Sequence, residues 1–326
     1  MATLTQVPDR RARPTVERSR RETWRRRGPL LPALIFTIVV TQIPFVVTIA
    51  LSLLDWNVLE PGDKSFLGLG NYSSFAGLDN FATVFTDTRL RAAVINTLVL
   101  TASVVIISLL IGLALAVLLD RRFPGRGLAR TLLIAPFLIM PVASALLWKH
   151  AIYNPDYGLL NGSLNWIWRL FGADQGPTVD WVSGYPMSAV VVALVWQWTP
   201  FMMLILLAGL QSQPGDVLEA AKMDRASGVQ TFRFITLPHL RRYLELATLL
   251  GSVYVVQSFD AIYTITQGGP GTATTNLPYE IYLTMFRKYE YGEAAAAGVV
   301  VVLGTIVVAT FALRVISSLF TEEEMR

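Results

Sequence analysis

Glu219-Ala220-Ala221-Lys222-Met223-Asp224 opens a stretch that runs to Ile235-Thr236-Leu237-Pro238, a polar, helix-prone island between two long apolar segments. The contrast decides the fold. Hydrophobic residues make up 53% of the 326 positions and charged residues only 15%, with a mean hydropathy of +0.49. The apolar residues fall in blocks of about 20 residues or more, the length that crosses a bilayer as a helix. A polar island inside such a chain sits at a membrane face, where a partner can reach it.

Working outward, the pattern predicts an all-α membrane protein with six transmembrane helices at about 30–54, 92–119, 128–150, 186–210, 243–266 and 293–320. The first apolar core is longer than the ~7–15 residues of a secretory signal, and no small-residue cleavage site follows it. Placing both termini in the cytoplasm puts 20 of the 27 Lys and Arg on the inner side and 7 on the outer side, the asymmetry that fixes orientation. Residues 1–28 carry Pro, Arg and Ser without apolar periodicity and read as a disordered basic cytoplasmic tail. Its charge serves to hold the tail inside rather than to bind nucleic acid. Residues 29–320 form the membrane domain, with the island in a loop at 211–241, and 321–326 form a C-terminal cytoplasmic tail. Trp166, Trp168 and Trp181, in the outer loop 151–185, are expected at the membrane–water boundary.

Within the island, Asp216 is placed to cap a short helix, with Glu219 three residues on completing a capping box. Gly228 is expected to break the run, and Val229–Ile235 to form a second short helix. From the residues alone this pair is either a docking handle for a cytoplasmic partner or an interfacial pair lying on lipid headgroups.

Glu219, Ala220, Ala221, Asp224, Phe232, Ile235, Leu237 and Pro238 resemble the EAA loop of permease subunits in ABC importers. Trp196-Gln197-Trp198-Thr199-Pro200-Phe201 and Phe259-Asp260-Ala261-Ile262-Tyr263 resemble spans four and five of the carbohydrate-type permeases. Gly268-Gly269-Pro270-Gly271-Thr272 through Pro278 looks most like the polyol (mannitol or sorbitol) branch. The resemblance implies the type I importer permease fold in the bacterial plasma membrane. It implies coupling to a cytoplasmic ABC ATPase dimer through Glu219, Ala220, Ala221, Asp224, Arg225, Gly228, Phe232 and Arg233. It also implies a second permease subunit, an extracytoplasmic solute-binding protein, and ATP and Mg in the ATPase rather than in this chain. The family's glycine after Asp224 is Arg225 here. If that position needs positive φ, Arg costs about 1 kcal/mol or more, unless Gly228 takes the turn instead.

Polar residues deep in a span need a reason, because an unpaired polar group in hydrocarbon costs several kcal/mol. Pro200 has no N–H to donate to the Trp196 carbonyl, which is therefore freed near mid-membrane. Ser144, Gln197, Trp198, Tyr254, Gln257, Ser258 and Asp260 are the candidate substrate path, to which the resemblance adds Phe201 and implies ligand contact at Ser144, Gln197, Trp198, Phe201, Gln257 and Ser258. Amide, hydroxyl and carboxylate groups beside aromatic faces suit a neutral polyol or sugar. Asp260 can bind hydroxyls, pair with Lys149, or serve a proton relay. The last would make the chain a proton-coupled secondary carrier.

With 0 cysteines, thiolate chemistry is excluded. No phosphate-binding loop and no nucleophile-elbow serine occurs, so the sequence predicts a transport subunit and not an enzyme, with no metal or cofactor of its own.

Overall fold

The computed structural model describes residues 28–57, 59, 64–65, 71–72, 74–172 and 176–324. The expected basic tail, except Gly28, lies outside them, as do the last two residues of the expected C-terminal tail. The chain divides after Thr48 into two compact units.

The first unit contributes the greater part of α1 (Gly28–Ser52). Pro44 has no N–H for the Val40 carbonyl, and the turn before it, Ile38–Gln42, is wound as a π-helix. The Thr37, Thr41 and Thr48 hydroxyls donate to carbonyls four residues back, Ala33, Thr37 and Pro44. The helix thus satisfies its own hydroxyls, as a lipid-facing segment must.

The second unit begins with β1 (Leu54–Asp55), β2 (Lys64–Ser65), β3 (Asn71–Tyr72) and β4 (Ser74–Phe75). These pair antiparallel as β1 with β4 and β2 with β3, so the expectation of an all-α chain misses two small ribbons. Then come α2 (Asp79–Thr86), α3 (Thr88–Asp120), α4 (Arg126–Leu138), α5 (Pro141–Ile152), α6 (Leu159–Leu170), α7 (Trp181–Gly184) and α8 (Pro186–Gln211). After α9 (Gly215–Met223) and α10 (Gly228–Thr231) a π-turn, Phe232–Thr236, runs into α11 (Leu237–Val256). The chain closes with α12 (Asp260–Ile265), α13 (Leu277–Leu283) and α14 (Tyr291–Glu324).

Helix α8 is central, packing on α3, α4 and α11. Close approach needs small residues. A Cβ on Gly112 of α3 would meet Met202 Cβ and the Met203 backbone nitrogen at 2.9 Å, and one on Gly209 of α8 would meet the Tyr243 ring at 2.6 Å. Small residues at such crossings let apolar helices associate where lipid removes the usual hydrophobic drive. Val104, Val190, Leu194, Met202 and Val255 form one buried cluster, and Leu119, Met203, Leu206, Leu207 and Leu240 a second.

Among the described residues, four helices are long and apolar enough to cross a membrane: α1, α3, α8 and α14 to Arg314. The α4–α5 pair would make a fifth, but it is bent by 98° at residues 139–140. The expected span 128–150 thus falls on a helix pair with a sharp bend inside it. Met140 precedes Pro141 and takes φ −56, ψ 136, the extended geometry that proline imposes on its predecessor. The expected span 243–266 is not continuous either. It breaks at Gln257–Phe259 between α11 and α12, and α11 carries Arg241, Arg242 and Glu245 in its first half.

One acid that the sequence reading passed over is wholly buried. Glu280 on α13 is 0% exposed, with Arg89 at 3.6 Å and Lys288 at 3.8 Å. Beside it Phe259, Tyr263, Tyr279 and Tyr282 pack ring against ring, with centroids 5.3–6.3 Å apart. Burial, together with the neighbouring Tyr263 and Tyr282, pushes the Tyr279 phenol above its ordinary pKa.

Candidate functional site

Two helix breaks and a proline-bearing helix build a cavity. Its walls are Pro141 at the start of α5, Leu194, Gln197 and Trp198 on α8, Tyr254 near the end of α11, and Gln257, Ser258, Asp260 and Ala261 around the second break. The volume is about 140 Å³, below the ~300–1,000 Å³ typical of small-molecule sites. The break at 139–140 leaves the Ile139 carbonyl outside a helix, and Gln197 Nε2 reaches it at 3.5 Å. Gln257 Nε2 donates to the Val253 carbonyl at 3.0 Å, which folds its amide back onto the end of α11.

The cavity gathers Gln197, Trp198, Tyr254, Gln257, Ser258 and Asp260. Ser144 and Phe201 are not among its lining residues: Ser144 is 2% exposed within α5. Phe201 instead belongs to an aromatic cluster next to the cavity. Trp198 stacks on Tyr254 with centroids 5.5 Å apart, and Phe201 meets both rings edge-on at 5.9 and 6.1 Å. Phe137, which the sequence reading missed, completes it by stacking on Phe201 at 5.3 Å. Its signal was its position between Pro136 and Pro141, which tightly constrain the backbone.

Asp260 supplies the one charge among the lining residues. Of the three roles open to it, the pairing with Lys149 is not formed; Lys149 Nζ donates to the Thr264 carbonyl at 2.7 Å. The cavity is thus an apolar and aromatic pocket with two amides, two hydroxyls (Ser258 and the Tyr254 phenol) and a carboxylate. Such a set can exchange hydrogen bonds with hydroxyl groups and lay ring faces against C–H surfaces.

The second site is the cytoplasmic-type loop. Its first helix, α9, starts at Gly215 with Pro214 before it and no side-chain cap. Asp216 Oδ1 accepts from Val217 N at 3.0 Å, so the predicted capping box at Asp216 and Glu219 does not form. The capping box sits at Ser227 instead: Ser227 Oγ accepts from Gln230 N at 3.3 Å and Gln230 Oε1 from Ser227 N at 2.8 Å. Gly228 is therefore the first residue of α10 rather than a breaker.

The turn is made by Arg225 itself, at φ +58. Arg225 N donates to the Lys222 carbonyl at 3.1 Å and Ala226 N to the Ala221 carbonyl at 3.0 Å. That is the Schellman pair that ends a helix on a left-handed residue, usually glycine. Ala221 is buried, whereas Glu219, Ala220, Asp224, Arg225, Gly228 and Arg233 are exposed and Phe232 is half-buried. Met223, Val229 and Phe234 present 84%, 77% and 67% of their surface around this turn, an apolar rim with charged residues between.

Comparison with known proteins gives the family and the fold. Residues 108–321 match the family described as binding-protein-dependent transport system inner membrane component. The probable ABC transporter permease protein y4oQ of Sinorhizobium fredii is 35% identical over 268 residues, 82% of this chain and 81% of that one. The trehalose/maltose transport system permease protein MalF of Thermococcus litoralis is 36% identical over 242 residues, 73% and 78%. A bacterial alginate ABC transporter, solved in complex with an alginate pentasaccharide-bound periplasmic protein, contains a chain similar in fold. The TM-score is 0.73 at 20% identity, covering 94% of this chain and 98% of that one.

Proposed function

The chain belongs to the family of binding-protein-dependent transport system inner membrane components, and from that premise we propose that it imports a neutral polyol or sugar as one half of an ATP-driven permease. It is a transport subunit and not an enzyme, and its several apolar helices make it a multi-pass inner-membrane protein. The reading adopts six spans and cytoplasmic termini, with 243–266 crossing as the broken α11–α12 pair.

The observation that carries the solute class is the cavity: aromatic faces, two amides, two hydroxyls, a carboxylate and no cation among its lining residues. A relative named for trehalose and maltose supports a neutral sugar. The Gly268–Pro278 segment supports a polyol. The cavity's small volume favours completion by a second permease chain. The exposed Glu219–Arg233 turn, with its apolar rim, is the surface offered to a dimeric ATPase that binds ATP and Mg. A solute-binding protein delivers at the opposite face.

Uptake of labelled mannitol, sorbitol, trehalose and maltose, measured in cells after an uncoupler collapses the proton gradient while ATP is kept high, tests this reading. Persisting uptake that stops on ATP depletion is expected. Uptake that falls with the proton gradient would make the chain a secondary carrier, with Asp260 as the relay group.

A further inference from the structure

The break between α11 and α12 is held from outside both helices. Ser258 belongs to neither, and its carbonyl accepts from Asn276 Nδ2 at 2.6 Å. Asn276 is only 1% exposed. Its other side-chain atom is committed as well, for Oδ1 accepts from Tyr279 N at 3.1 Å and caps α13.

The residues around Asn276 are anchored on α3. Leu277 N donates to Thr97 Oγ1 at 2.9 Å, and Asn96 Nδ2 donates to the Thr272 and Thr275 carbonyls at 2.8 and 3.0 Å. The stretch from Thr272 to Leu277 is thus fixed independently of the cavity, and a single amide extends from it to the cavity wall. A polypeptide break in an apolar setting needs such a donor, because water is not there to supply one. An amide that bridges two elements also fixes their spacing.

We infer that Asn276 is a positioning residue for the cavity: anchored on α3, it holds Ser258, and with it Gln257 and Asp260, in place. The inference rests on the reading of this cavity as the solute path. Asn276 touches no solute itself and acts through the Ser258 backbone.

The chain's lack of cysteine makes the test clean. Gln257→Cys places one thiol in the cavity, and its modification by a charged, water-soluble maleimide is followed in native membranes. Asn276→Asp and Asn276→Ser are then added singly. Both substitutes cap a helix about as well as Asn, but Asp turns a second acceptor toward the Ser258 carbonyl and Ser is too short to reach it.

Labelling about tenfold faster in both variants is expected, a factor equal to about 1.4 kcal/mol and within the range for unpairing a buried acceptor. Labelling at the parental rate in both would show that Asn276 is only a helix cap, and would overturn the proposal. Absence of both variants from the membrane would also overturn it, making Asn276 a folding residue. Because the readout needs no solute, the two readings fail separately. Faster labelling, where the unsubstituted chain with Gln257 intact moves no sugar, keeps the tie and loses the transport reading. Unchanged labelling, where the unsubstituted chain takes up sugar normally, loses the tie alone.

Discussion

Arg225 is a residue at which sequence and backbone pull against each other. It occupies the left-handed C′ position of α9 at φ +58, where a side chain costs about 1–2 kcal/mol. Arg225→Gly should therefore raise the melting temperature of the detergent-purified chain, and a lower value would contradict the assigned turn. Gly228 has a negative φ and open space where a Cβ would go, so Gly228→Ala should leave the melting temperature unchanged or slightly higher. The sequence indicated that one of these two positions had to turn. It did not indicate which, because the deciding feature is the Schellman pair, a backbone pattern that glycine content alone mispredicts.

At the same scale, Glu280 gives an asymmetric test. The carboxylate is fully buried while Arg89 and Lys288 keep 50% and 36% of their side chains exposed. Removing both cations strands a buried charge, whereas removing the carboxylate leaves cations that water can solvate. The Arg89→Ala, Lys288→Ala double variant should melt well below Glu280→Gln. The reverse order would mean that the acid does not depend on its partners.

Among the elements, the crossing of α3 and α8 brings backbone against backbone. Gly112→Ala would press a methyl group against Met202 Cβ and the Met203 backbone, and backbone cannot swing aside. Overpacking of this kind costs about 1–3 kcal/mol, and a melting curve that matches the parent would place the helices farther apart. The coupling loop has its own element-scale prediction. Glu219 is exposed on α9, so Glu219→Lys should insert and accumulate normally yet lose ATP-driven uptake, and full uptake would remove the loop from the coupling role.

Hydropathy made the long helices legible, since α1, α3, α8 and α14 lie close to where apolar runs placed them. It could not show the 98° bend before Pro141 or the break after Val256, because both arise from a few residues inside otherwise apolar stretches. Six of the path residues met in one cavity because each was picked as a polar or aromatic residue deep in a span. Asn276 escaped notice because it lies outside the spans and reaches the cavity only through tertiary folding.

For the molecule as a whole, the account is that of a half-permease. It has a cavity of about 140 Å³ and an exposed, apolar-rimmed loop. The proposed completion by partners can be observed without knowing the solute. The most direct measurement is purification of the tagged chain from its native membranes in mild detergent, followed by mass-spectrometric identification of what accompanies it. The account predicts an ABC ATPase together with a second multi-span permease, with the ATPase lost and the permease kept when Glu219 and Arg225 are replaced together. A chain that emerges alone, or only with copies of itself, would contradict it.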